Sequence, residues 1–207
     1  MKNLLSSLFL LFTLGTAAQD FEGMIEFKKQ EGTSIENTVW YVKGDLVRID
    51  EFEPGSRLLK SARIINTKDS SVTYIDHRAK TYKSNTPAIT PVIPVGCTVT
   101  ETKNTKELQI YKTTEFTLKT PGDSANYSFW MTSGKFAFFK TAAWLYGADN
   151  SYIKYYWALD PKAGSMPMLV TRSNPSGVET GRFEVTRIEK RSLDANLFVV
   201  PADYKSQ

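Results

Sequence analysis

The sequence predicts a mainly β (α+β) fold, a single curved antiparallel sheet of about ten strands carrying one covering helix. Three observations lead there. Apolar and polar residues alternate with period two through most of the chain, and turn-forming links punctuate the alternating runs. One segment, residues 135–146, instead has apolar residues at helical spacing.

Residues 1–18 stand apart from this pattern. Lys2 precedes an apolar run from Leu4 to Leu14, and Gly15-Thr16-Ala17-Ala18 supplies small residues before Gln19. This is the layout of a cleaved secretory signal, and its apolar run is too short to span a bilayer. No cysteine follows the cut, so a bacterial lipid anchor has no attachment point. The expected mature chain, 19–207, is one domain's worth of residues with no transmembrane segment. Its expected compartment is the periplasm rather than the extracellular medium.

The strands follow in order. Phe21, Gly23, Ile25 and Phe27 fall on one side, with Glu22, Glu26 and Lys28 on the other. Leu108, Ile110, Phe116 and Leu118 likewise oppose Glu107, Gln109, Glu115 and Lys119. One buried face and one wet face is the habit of antiparallel sheets. Lys43-Gly44-Asp45 separates strands at 38–42 and 46–50, and Lys68-Asp69-Ser70 separates 63–66 from 72–76. His77-Arg78-Ala79 leads into 80–83, and each of these links reads as a hairpin. Further strands are expected at 98–102, 108–119, 125–132, 152–159, 166–172 and 179–189.

Two segments break the rhythm. Residues 84–96 carry Pro87, Pro91 and Pro94 among Ile89, Val92, Ile93 and Val95, an extended apolar excursion rather than a central strand. Residues 135–146 form the expected helix, with Ser133 as N-cap and Gly147 as a left-handed C-terminal stop. Phe136, Phe138, Phe139, Ala142, Ala143, Leu145 and Tyr146 cover one broad face. Lys140, Thr141 and Trp144 take the other, so the helix must lie against the sheet.

Composition excludes several functions. The formal net charge is +4 and the pI about 9.0, but basic and acidic residues interleave, as in Arg187-Ile188-Glu189-Lys190-Arg191. Nucleic-acid binders concentrate their cations on one face, so no nucleic-acid partner is expected. Cys97 is the lone cysteine, which rules out an intramolecular disulfide, and no His adjoins it to activate a thiolate. His77 is the lone histidine and sits in a hairpin turn without a nucleophile elbow. Asp50, Glu51 and Glu53 cluster, yet Arg48 and Arg57 make a charged hairpin end the simpler account. No zinc or calcium pattern and no phosphate-binding glycine loop occurs. The expectation is a protein that is not an enzyme and holds neither metal nor cofactor. Aromatic residues, 13% of the chain and concentrated in 127–157, are the positive signal. They suit either a packed core or the wall of an apolar cavity.

The order of parts resembles periplasmic proteins of the LolA and LppX type, and more closely a set of exported LolA-like proteins of unknown function. Phe21-Glu22-Gly23-Met24-Ile25-Glu26-Phe27 resembles that set's first strand, and Trp40-Tyr41-Val42-Lys43-Gly44-Asp45-Leu46-Val47-Arg48-Ile49 its second hairpin. Thr73-Tyr74-Ile75-Asp76 with Lys80-Thr81-Tyr82 resembles its next hairpin, and Phe198-Val199-Val200-Pro201-Ala202-Asp203-Tyr204 its ending. One departure stands at Ile110-Tyr111-Lys112-Thr113, where the glycine that precedes the family's tyrosine is missing. The resemblance implies a strongly curved half-open barrel whose concave side, closed by helices, accepts acyl chains of lipids or lipoproteins.

Two functions follow as expectations. The first is a soluble periplasmic carrier of a hydrophobic, acyl-chain-bearing ligand held between the concave sheet and helix 135–146. Its candidate lining is Phe116, Leu118, Trp130, Phe136, Phe139, Ala143 and Tyr146. The alternative is a non-enzymatic cell-envelope structural or adaptor module with a packed core, which offers an edge strand or the excursion 84–96 to another protein.

Overall fold

The computed structural model describes residues 21–87, 95–122, 124–147 and 151–207. The leader-like segment 1–18 and residues 88–94 of the proline-bearing excursion lie outside the described residues. The strands are β1 (Gly23–Glu31), β2 (Ser34–Lys43), β3 (Leu46–Phe52), β4 (Leu59–Asn66), β5 (Val72–Asp76) and β6 (Thr81–Asn85). After the excursion come β7 (Thr98–Leu108), β8 (Tyr111–Lys119) and β9 (Asn126–Thr132), then helices α1 (Ala137–Tyr146) and α2 (Ser151–Lys154). A 3-10 turn at Tyr156–Leu159, β10 (Met166–Ser173), β11 (Glu179–Lys190), a second 3-10 turn at Ala195–Phe198 and β12 (Lys205–Ser206) complete the chain.

All twelve strands join one sheet in the order β12-β6-β5-β4-β3-β2-β1-β11-β10-β9-β8-β7. Every pairing is antiparallel except that of the two-residue β12 with β6. The order has two ends, so the sheet is open and not a closed barrel. Among the described residues, twelve strands and two α-helices replace the expected ten or so strands and one helix.

The sheet must curve. In the strand order β4 and β8 are seven spacings apart, roughly 34 Å if flat, whereas the ten residues of α1 extend only about 15 Å. Yet Arg63 of β4 donates to the Tyr146 carbonyl at 2.7 Å, at one end of α1. Tyr111 of β8 meets Phe136, at the other end, with ring centroids 5.3 Å apart. One hydrophobic cluster accordingly runs from Val72 of β5, past Trp40, Phe27 and Phe183, to Leu118 of β8, with α1 and α2 inside it.

The opposite face of β3–β6 is covered as well. Leu193 and Phe198 pack on Ala62, Ile64 and Ile75, with Tyr204 at the margin. Beneath this C-terminal strap Arg48 pairs with Asp50 at 2.6 Å and donates to the Leu197 carbonyl at 2.9 Å.

Four local expectations are corrected. Residues 152–159 are not a strand but α2 and a 3-10 turn, and Tyr152, Ile153 and Tyr156 are buried at helical spacing. The run 108–119 is not one strand: Gln109 and Ile110, both at positive φ (49° and 65°), form a two-residue turn that divides β7 from β8. Ser133 does not cap α1. Phe136 is the N-cap and offers no side-chain hydrogen bond, while its amide donates to the Gly164 carbonyl at 3.2 Å. Gly147 ends α1 at φ −127°, which is not left-handed; a Cβ there would meet Ile153 Cγ2 at 2.8 Å and the Ala143 carbonyl oxygen at 3.0 Å. Glycine is needed for the close approach of α2, not for a turn.

Candidate functional site

The helix–sheet contact, where the sequence places a ligand, is filled by side chains. Phe136, Phe139, Ala143 and Leu118 are fully buried. Phe139 stacks on Trp40 at 5.5 Å, meets Tyr156 edge-on at 5.3 Å and lies 6.4 Å from Phe27. Tyr146 meets Trp40 edge-on at 5.4 Å on one side and the Arg63 guanidinium at 4.8 Å on the other. Burial drives the Tyr146 phenol far above its usual pKa. These residues lie in or against one hydrophobic cluster.

The space lies further along, at the end of the sheet near the β7–β8 turn. A half-open cavity of about 470 Å³ is lined by Phe116, Thr114, Met131, Leu159 and Pro161. Phe116 and Met131 come from one face of β8 and β9, since Phe116 pairs with Phe129 and Thr114 with Met131. Leu159 ends the 3-10 turn and Pro161 lies in the loop that follows it, after Asp160 at φ 46°. Lys112, Lys162, Glu101 and Asp160 add charge of both signs around the apolar floor. Such a volume falls in the range of small-molecule sites, about 300–1,000 Å³. Of the candidate lining residues, Phe116 alone is among those that line it.

Trp130 is placed elsewhere. Its strand neighbours Phe129 and Met131 belong to the core, and strand alternation puts Trp130 on the other face, with Lys106 Nζ 3.7 Å from the centre of its ring. Opposite it, Glu115 accepts hydrogen bonds from Ser128 (2.6 Å), Thr102 and Asn104 (both 2.8 Å). Burial works to raise the Glu115 pKa, but these donors outweigh it and hold the carboxyl below its usual value. The cluster is internally satisfied.

The catalytic alternatives find no assembly among the described residues. His77 lies in the β5–β6 turn with Nδ1 2.8 Å from the Tyr204 hydroxyl, and burial pushes its pKa down. Asp50 and Glu51 face opposite sides of β3: Asp50 pairs with Arg48, whereas Glu51 pairs with Arg63 at 3.4 Å and accepts from Ser61 at 2.7 Å. Glu53 pairs with Arg78 at 2.7 Å. Burial raises the Cys97 thiol, the wrong direction for a nucleophile. No group of three potential metal ligands occurs among the described residues, and none of their helices is long and apolar enough to cross a membrane.

Leu159 and Pro161 escape sequence analysis because a strand through 152–159 carries the chain past the cavity instead of round it. The available signal is the triplet Tyr152, Ile153 and Tyr156, whose spacing closes a helical turn.

Fold and site together define an open twelve-stranded sheet wrapped on an aromatic helix, with an amphipathic cavity at one end. The chain belongs to the family described as a domain of unknown function (DUF4412), whose model matches residues 21–204. Comparison with curated proteins finds no match. Among solved structures, an uncharacterised conserved protein from Thermus thermophilus is similar over 90% of both chains, at 10% identity and a TM-score of 0.51. That likeness concerns the fold. MucB in complex with MucA(peri) aligns at 12% identity and a TM-score of 0.49, over 89% of this chain and 56% of that one. PNGF-II aligns at 12% identity and a TM-score of 0.45, over 89% of this chain and 30% of that one. The chain therefore spans less than two thirds of either of these two proteins.

Proposed function

We infer that this is a non-enzymatic periplasmic binding protein for an amphipathic, acyl-chain-bearing molecule, taken up at the end of the sheet rather than beneath α1. The observation that carries this reading is the cavity of about 470 Å³, with Phe116, Met131 and Leu159 as its apolar floor and Lys112 and Lys162 among its charged residues. An acyl chain matches the floor, and an anionic head matches the lysines. The LolA-like order of parts and the leader-like residues 1–18 agree with it.

The packed aromatic core also suits the adaptor alternative, but the exposed edge strand does not. β7 carries Lys103 at φ 64°, an irregular register between Glu101 and Thr105, and Lys and Glu side chains along its length. These are the devices by which natural edges avoid pairing with another strand.

Native mass spectrometry of the protein extracted under mild conditions is the test. A co-purifying lipid that is lost in Phe116→Arg supports the reading. A parent protein free of lipid that also fails to bind a fluorescent fatty acid contradicts it.

A further inference from the structure

Three of the hairpin tips at one end of the sheet expose a large aliphatic residue, and the β5–β6 tip, at the same end, does not. Glu31 pairs with Ser34 to close β1–β2, Phe52 pairs with Leu59 at the end of β3–β4, and Ser173 pairs with Glu179 to close β10–β11. Because β1 is antiparallel to both β2 and β11, the three turns point the same way. The pairs β4-β3, β2-β1 and β11-β10 also adjoin in the strand order, so their tips form a row with steps of roughly 10 Å. Each tip exposes one aliphatic side chain: Leu58 at 71%, Ile35 at 43% and Val178 at 60% of full exposure.

Single exposed aliphatic residues need no explanation. These three differ because the turns do not require them. Pro54-Gly55-Ser56 and Asn174-Pro175-Ser176-Gly177 supply the turn chemistry, and Leu58 and Val178 contribute only backbone groups to those loops. Polar side chains would serve as well.

The unpaired cations gather at the Leu58 end of the row. Glu53 is held by Arg78 at 2.7 Å, Glu31 and Glu36 by Lys29 at 3.4 and 3.6 Å, and Glu179 by Arg182 at 2.7 Å. One carboxylate oxygen of Asp76 accepts from the Arg78 and Ala79 amides. Among the described residues, Arg57, Lys60 and Lys83 carry no ion pair and are exposed. Lys60 and Lys83, with Tyr74 and Tyr82, line a hollow of about 380 Å³ beside the Leu58 tip.

We propose that this end of the sheet docks on an anionic lipid bilayer, with Leu58, Ile35 and Val178 entering the interface and Arg57, Lys60 and Lys83 facing the headgroups. Shallow aliphatic insertion and lysine attraction are each weak alone and together give reversible surface binding. The acyl-chain cavity lies at the opposite end, beside Ser133 and the β7–β8 turn, so the two sites fail or stand separately.

The test is sedimentation of the protein with vesicles of phosphatidylglycerol and phosphatidylethanolamine, set against vesicles of phosphatidylcholine alone. The parent should bind the anionic vesicles, more weakly as salt rises, and leave phosphatidylcholine unbound. The triple change Ile35→Ser, Leu58→Ser and Val178→Ser should weaken binding about tenfold or more with an unchanged unfolding midpoint. Lys60→Glu with Lys83→Glu should abolish the salt dependence. A parent that ignores anionic vesicles, or a triple variant that binds them like the parent, overturns the proposal. Equal binding to both kinds of vesicle overturns it too.

Discussion

Phe139 stacks on Trp40, with ring centroids 5.5 Å apart and ring planes 19° from parallel, in the centre of the concave face. Both side chains are completely buried. This contact joins α1 to β2 and fills part of the helix–sheet interface with side chains. Phe139→Ala should therefore cost about 3–5 kcal/mol, the range for truncating a buried Phe in a packed core. Denaturant unfolding of the two proteins checks it. A loss below about 1 kcal/mol would mean that the site already tolerates a void.

Gly147 offers a second probe of packing. Its backbone is ordinary, but a Cβ would press on Ile153 Cγ2 and the Ala143 carbonyl. Gly147→Ala should destabilise by about 1–3 kcal/mol, the usual cost of overpacking. If glycine were kept there only as a helix stop, the same change would be close to neutral, so the unfolding midpoint decides.

Ile110 is the second residue of the two-residue turn between β7 and β8. It sits at φ 65° and is 85% exposed. A β-branched residue is strained in the left-handed region, and no packing offsets that strain here. Ile110→Gly should stabilise the protein by about 1 kcal/mol, read as a higher unfolding midpoint.

Much of the sheet was legible because one wet face and one buried face impose period two, as Phe21 to Lys28 shows. Legibility failed where residue type and conformation disagree. The β7–β8 turn is hidden because Gln109 and Ile110 are unusual at positive φ. Tyr152 to Leu159 is rich in aromatic residues that favour strands, and tertiary burial of Tyr152 and Tyr156 overrides that preference. Of the candidate lining, Phe116 lies at the cavity and Trp130 on the other face of the sheet, a separation already given by the parity of Trp130 with Phe129. The terminal Phe-x-x-Pro-x-x-Tyr was visible as a motif. Its role, covering the back of β3–β6, depends on contacts more than a hundred residues away in sequence and could not be read locally.

His77 links stability to pH. Burial, and secondarily Arg48, lower its pKa from the ordinary 6.5, while Asp50 and Asp76 oppose that shift. The fold thus favours neutral imidazole. Its contribution is fully present above pH 6.5 and is lost as pH falls through the folded-state value. Asp50, raised chiefly by burial, acts oppositely: its contribution grows as pH falls. His77→Gln should therefore flatten the loss of unfolding free energy between about pH 7 and pH 5. An unchanged slope would remove His77 from the account.

We infer that a ligand binds at the end of the sheet and not beneath α1. This is tested most directly by titrating a fluorescent fatty acid into the parent, Phe116→Arg and Phe139→Ala under conditions where all three remain folded. The account predicts saturable binding to the parent, at least about tenfold weaker binding to Phe116→Arg, and near-parent affinity in Phe139→Ala. Loss of binding in Phe139→Ala with parent-like affinity in Phe116→Arg would contradict it.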